Sequence, residues 1–274
     1  MVKKSTWHNE WAGVDQAEDP EFFLKFIDLT RIRWNEMARA DPQGFYAFLD
    51  IKSGHQILDI GCGTGVFLRP LAESIDPSCR IIGVDNSEIM ISEAIKRAEG
   101  LNLPVEYRVG DAHALDIADE SFDRCYANFV LMHLQRPKQA LSEMKRVLRP
   151  GGLIVVDEPD WDSQVINSKD LRLTRKLIHF ISDSLKNGII GRQLTEFYHE
   201  LGLVDIAVTG QITTWPNYAV FKKWWIEGGI EKAGTAGIAS SEELAEWLND
   251  LDERDKTGRF FSAFTNYRVS GRKP

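Results

Sequence analysis

The chain has 274 residues, 43% of them hydrophobic, enough for one large α/β domain with insertions or two small domains, each with a real core. A formal charge of -8 and a sequence pI near 5.4 argue against a general nucleic-acid binder. Three cysteines (Cys62, Cys79, Cys125) without C-x-x-C spacing favour free thiols in a reducing compartment over disulfides or zinc, and no apolar run approaches the roughly 18 residues needed to span a bilayer.

In chain order, Met1 to Gly13 carries Lys3 and Lys4 with no apolar run behind them, so no signal peptide is expected and the cytoplasm is the expected compartment. Asp19-Pro20-Glu21 predicts a helix start, and Phe22, Phe23, Phe26, Ile27 and Leu29 then recur at helical spacing. Asp41-Pro42 predicts a second, short helix carrying Phe45, Phe48 and Leu49. From residue 56 the pattern alternates. Strands are expected at 56–60, 80–85, 105–109, 122–128 and 153–158, with helices at about 65–75, 87–99 and 137–148. Such alternation implies a Rossmann-like, mostly parallel sheet with helices on both faces. After Pro159 the rhythm changes to helices at about 168–187 and 192–201, a strand near 204–209, two further helices within 211–258, and a strand-like run from Phe260 to Val269. The expected organisation is an N-terminal helical segment or lid at 1–50, then one domain at 51–274 with helical insertions at about 160–188 and 211–258.

The stretch Leu58-Asp59-Ile60-Gly61-Cys62-Gly63-Thr64-Gly65 is an apolar strand that breaks into alternating glycines and leads into a helix. Glycine lets backbone approach a bound molecule closely, so a nucleotide-like cofactor is indicated. A dinucleotide fingerprint needs a third glycine where Val66 stands, which weighs against a nicotinamide-linked oxidoreductase; a phosphate loop needs a Lys that is absent here. What remains is a loop for a nucleoside without phosphates. Ligands of open α/β sheets sit beyond the carboxyl ends of the strands. Asp85, with Asn86 behind it, ends the second strand, and its carboxylate can take both hydroxyls of a ribose; it can also serve as an acid at a helix start, but its place after the glycine loop favours the ribose. Asp111 and Ala112 follow the third strand, where a carboxylate can accept from an exocyclic amine and a backbone N–H can donate to a ring nitrogen; Gly110-Asp111 is also a common turn.

Together with Gly83-Val84-Asp85-Asn86-Ser87, Gly110-Asp111-Ala112, Glu120-Ser121-Phe122-Asp123 to Asn128, and Arg146-Val147-Leu148-Arg149-Pro150-Gly151-Gly152, the glycine stretch closely resembles the class I S-adenosylmethionine (SAM)-dependent methyltransferases, above all the small-molecule and quinone-biosynthesis branch. The resemblance covers residues 55–158, and less specifically 190–210 and 260–274. It implies SAM as cofactor, S-adenosylhomocysteine (SAH) as product, and a seven-stranded sheet whose last strand is antiparallel. It further implies that Gly61 and Gly63 back the methionine moiety, Asp85 holds the ribose, Asp111 and Ala112 the adenine, that Asn128 lies near the sulfonium and that Asp59 buttresses the glycine loop.

Methyl transfer from a sulfonium needs alignment and dehydration rather than a metal. A base is needed only for a protonated acceptor, and His133, just past the fourth strand, is the candidate; flanked by Leu131 and Leu134, it also reads as a structural histidine. Glu158 and Asp160 at the fifth strand's end are candidates for contacting a substrate, or for capping the following turn. Among eight tryptophans, Trp34, Trp161, Trp215, Trp224 and Trp225 are candidate pocket residues, although helical insertions need cores too. The expected activity is methylation of O, N or C on a small, hydrophobic or aromatic molecule by a monomer or homodimer. The alternative is a protein that keeps this fold for a non-methylating reaction or as a scaffold.

Overall fold

The computed structural model describes residues 7–41, 46–215, 217–226 and 229–274, without the side chains of 7–10, 12, 31–35, 37–39, 224 and 225. A stretch of tight turns, Trp7–Gln16, leads into helix α1 (Pro20–Ala40), whose first turn is capped by Asp19 accepting from the Phe22 N–H at 3.2 Å. Of the second short helix expected at Asp41-Pro42, residues 42–45 lie outside the described residues, and Ala47–Leu49 form a single tight turn that buries Leu49.

The core then alternates through β1 (Gln56–Ile60), α2 (Leu68–Ser74), β2 (Arg80–Asp85), α3 (Glu88–Ala98), β3 (Val105–Val109), β4 (Phe122–Asn128), α4 (Pro137–Val147) and β5 (Leu148–Ile166). Next come α5 (Leu171–Ser184), α6 (Ile190–Glu200), β6 (Val204–Thr214), α7 (Tyr218–Phe221), a wide turn at Lys222–Ile226, α8 (Gly229–Thr235), α9 (Ser241–Lys256) and β7 (Ser262–Arg272). The seven strands form one sheet in the order β3-β2-β1-β4-β5-β7-β6, with β7 antiparallel to both neighbours and the β1 to β5 pairs parallel.

Side chains alternate across the two faces of the central strands, as the period of two requires. Ile57, Tyr126 and Val155 pack on one face with Leu68, Leu71 and Ile91 from α2 and α3. Leu58, Cys125, Ile154 and Val156 pack on the other with Leu141, Met144, Leu194 and Tyr198 from α4 and α6. Strand order reverses between β1 and β4, so the chain after these two strands diverges and leaves a crevice.

Two strands are longer than the sequence pattern predicts. β5 continues past the run 153–158 to pair Val165 with Ala263, and β6 continues to pair Thr214 with Ala263. Polar residues and Pro159 hide this extension, but Pro159 lies beyond the last β4 partner, Asp157, and Asp160 is buried against a bidentate Arg192 from α6. The extended strands carry the second helical insertion, which among the described residues holds three helices rather than two, α8 beginning at Gly229. Helix α9 starts at a capping box formed by Ser240 and Glu243.

Candidate functional site

A cleft of about 480 Å3 opens at the carboxyl ends of β1, β2, β3 and β4. Asp59, Gly61, Gly63, Asp85, Asn86, Asp111, Ala112, Asn128 and His133 all line it.

The glycine loop folds back over β2, its Gly61 and Cys62 N–H groups donating to the Val84 carbonyl at 2.7 and 3.1 Å. Gly61 sits at φ +69°, and a Cβ there would lie 2.4 Å from a Val130 methyl. Only a residue without a side chain allows the loop and the turn after β4 to approach so closely. The Gly63 N–H donates to Asp85 at 2.9 Å, and the Ser87 N–H donates to the other oxygen at 3.0 Å. Asp85 thus joins the loop to the start of α3. Burial raises the Asp85 carboxyl despite these donors, and burial together with the Asp85 charge holds Asp59 well above the usual carboxylate range.

Past β3, the Asp111 carboxylate accepts from the His113 N–H at 2.9 Å and contacts the ring Nδ1 at 2.7 Å, which lowers its pKa. The His113 carbonyl accepts from Gln139 of α4 at 2.7 Å, so the loop after β3 is held from both sides.

After β4 the chain turns sharply. Phe129 adopts φ +58°, a left-handed conformation costly for an aromatic residue, and its N–H donates to the Asp157 carbonyl at 2.9 Å. A single tight turn, Leu131–His133, then presents Met132, His133 and Leu134 to the cleft. The His133 ring stacks on Trp11 with centroids 5.8 Å apart, and Trp11 meets Phe23 and Phe26 edge-on at 4.7 and 5.9 Å.

The N-terminal segment therefore forms one wall of the cleft, through Trp11, Val14, Phe26, Ile27 and Thr30. It is fastened to α3 at two points. The Asp15 carboxylate accepts from the Ser87 hydroxyl and from the Glu88 and Ile89 N–H groups, and Asp28 makes a bidentate pair with Arg97 at 2.6 and 3.1 Å.

Four expectations about substrate contact are corrected by the packing. Glu158 is fully buried and accepts from the Val130, Leu131 and Met132 N–H groups, so it faces backbone rather than the cleft. Asp160 is engaged by Arg192. Trp161 and Trp215 stack on one another and meet Phe264 at a tilt, packing into the core beneath the extended strands. None of the four is a lining residue. The side chains of Trp34, Trp224 and Trp225 lie outside those described. Trp11, Phe26 and Thr30 are the lining residues that sequence reasoning passed over; the paired aromatics ahead of and within α1 were the available signal.

The residues present fit SAM. The cleft combines a glycine loop with left-handed turns, a buried Asp59 on β1 and a half-buried Asp85 at the end of β2, and a Thr64 hydroxyl that is buried without a hydrogen-bond partner among the described residues, as a polar ligand's absence would leave it. Residues 58–156 match the family model described as a methyltransferase domain. The chain is 36% identical over 244 residues to an uncharacterized 37.1 kDa protein in transposon TN4556 of Streptomyces fradiae, covering 88% of this chain and 69% of that protein. It is 33% identical over 132 residues to the methyltransferase GfsG of Streptomyces halstedii, covering 45% of this chain and only 48% of GfsG. A putative methyltransferase of Bacillus halodurans superposes with a TM-score of 0.58 at 18% identity, covering 86% of this chain and 99% of that one. Among the described residues no helix is long and apolar enough to cross a membrane. With its sheet order and the match over residues 58–156, the chain carries a class I SAM-dependent methyltransferase domain, whose cofactor is SAM.

Proposed function

We propose that the chain methylates an O, N or C nucleophile of a small, uncharged and largely apolar molecule. One observation carries this reading: besides its acids, the cleft is lined by Trp11, Phe26, Phe129, Met132 and Leu134, and no Lys or Arg is among its described lining residues. A phosphorylated or carboxylated acceptor would need a cation to replace its lost water, and the acids of this cleft would repel it.

In this reading Asp85 holds the ribose diol, Asp111 and Ala112 the adenine, Gly61 and Gly63 the methionine moiety, and Asn128 borders the sulfonium. The bound cofactor supplies a methyl group already activated by positive sulfur. The chain's part is to exclude water and align the acceptor, which can lower the barrier by up to about 7–11 kcal/mol. Where the acceptor carries a proton on its nucleophilic atom, an imidazole nitrogen of His133 takes it. Residues 1–50 act as the lid, since Trp11 and Phe26 supply part of the wall and Asp15 and Asp28 fasten it.

The test is calorimetric titration with SAM and SAH, followed by transfer of tritiated methyl to a panel of uncharged phenols, anilines and enols, with phosphoethanolamine as the charged comparator. Label on an uncharged ring supports the reading, and label on phosphoethanolamine overturns the acceptor class. Tight SAM binding without transfer to any compound would favour the non-methylating alternative.

A further inference from the structure

The turn that brings Met132, His133 and Leu134 into the cleft is held by side chains from outside it. Its N–H groups converge on one carboxylate: Val130 and Leu131 donate to Glu158 Oε1 at 2.7 and 2.6 Å, and Met132 to Oε2 at 3.4 Å. Its carbonyls converge on one loop: Asn187 Nδ2 donates to Leu131 and Leu134 at 3.0 and 2.8 Å, and Lys186 Nζ to His133 at 3.0 Å. Neither Glu158 nor Asn187 lines the cleft.

Both supports are themselves fixed. Glu158 lies on β5 with no exposed surface. The loop carrying Asn187 is tied to the same strand by the Trp161 N–H donating to the Gly188 carbonyl at 2.9 Å. Helix α6 starts hard against that strand, since a Cβ on Gly191 would lie 2.7 Å from the Glu158 carbonyl. The turn makes two backbone bonds of its own, His133 N–H to the Val130 carbonyl at 3.0 Å and Leu134 N–H to the Leu131 carbonyl at 3.1 Å; its remaining buried donors and acceptors would be costly without partners, so its placement depends on these two side chains.

We propose that Glu158 and Asn187 are positioning residues for methyl transfer: together they set where Met132, His133 and Leu134 stand against the acceptor. Through Asn187 the helical insertion influences the acceptor without touching it. The inference rests on the reading of this turn as the acceptor wall. Displacements of about half an ångström suffice to spoil such alignment.

The test uses the full chain loaded with SAH and compares Glu158→Ala, Glu158→Gln and Asn187→Ala with wild type. Glu158→Ala and Asn187→Ala should shift the 15N resonances of the His133 ring and speed Leu131 amide exchange by about tenfold or more. SAH affinity should stay within about twofold, and the His113 ring, held by Asp111 on the cofactor side, should not move. Glu158→Gln, whose amide oxygen still accepts from Val130 and Leu131, should restore most of the wild-type signal. If Glu158→Ala fails to fold, Asn187→Ala decides. An unmoved His133 ring and unchanged Leu131 exchange in Asn187→Ala overturn the proposal. Failure of the wild type to bind SAH would strike the cofactor instead.

Discussion

The two sides of the cleft are built by different means. The glycine-loop side, the proposed cofactor side, is local: Gly61 and Gly63 follow β1, Asp85 ends β2, Asp111 and Ala112 follow β3, and Gly61, Gly63, Asp85 and Asp111 are fixed by hydrogen bonds to near neighbours or to an adjacent strand. The side around His133, the proposed acceptor side, is assembled from afar. The turn that holds His133 is gripped by Glu158 and Asn187, and its ring stacks on Trp11, more than a hundred residues before it. The first side needs only strand ends, whereas the second needs a tertiary fold.

Variants that strike one side and spare the other sharpen this contrast. His133→Ala is expected to have the largest effect, lowering turnover about 10²- to 10⁴-fold as loss of a general base does, with SAH affinity unchanged. Single-turnover transfer from tritiated SAM checks it, and an equal loss of SAH affinity would erase the distinction between the sides. Asp85→Ala should do the reverse, weakening SAH binding by about 2–3 kcal/mol in calorimetry through lost charge-assisted bonds.

Glu158 offers a titration confined to the acceptor side. Burial pushes its carboxyl up to about 8 against the pull of three N–H donors, whereas an unfolded chain holds it near 4.5. The folded state therefore retains a proton that the unfolded state releases. Its contribution to stability is fully present below about pH 4.5 and is lost as the pH rises through about 8, at up to roughly 1.4 kcal/mol per pH unit. Urea midpoints at several pH values should decline across this window in wild type and flatten in Glu158→Gln; parallel declines would remove Glu158 as the cause.

Asp28→Ala should matter least. The Asp28–Arg97 pair is partly exposed, so its loss should cost about 0–1 kcal/mol in urea unfolding. A larger cost would mean that the N-terminal segment contributes to the stability of the whole sheet rather than only covering one cleft.

The same contrast explains what was legible in advance. The central strands and their helices followed from apolar periodicity, and the place of Asp85 and Asp111 at the cleft was legible because a strand end and a glycine loop are short patterns. Glu158 was misread because the end of a strand does not reveal whether a carboxylate faces the cleft or a neighbouring backbone; three N–H groups from residues about 27 positions away settled it. Trp161 and Trp215 looked like pocket aromatics but fill a core created by the unforeseen lengthening of β5 and β6 along β7. Trp11 was passed over because nothing near it in the chain marks the cleft.

The amino-acid sequence by itself determined the alternating core and the strand ends that border the cleft, because glycine conformations and strand periodicity are properties of neighbouring residues, while its resemblance to the methyltransferases pointed to the cofactor. Only the tertiary structure decided the acceptor wall. Whether an aromatic or an acid meets a ligand or a core depends on which distant backbone groups need partners, and that is settled only when β5, the insertion and the N-terminal segment close on one turn.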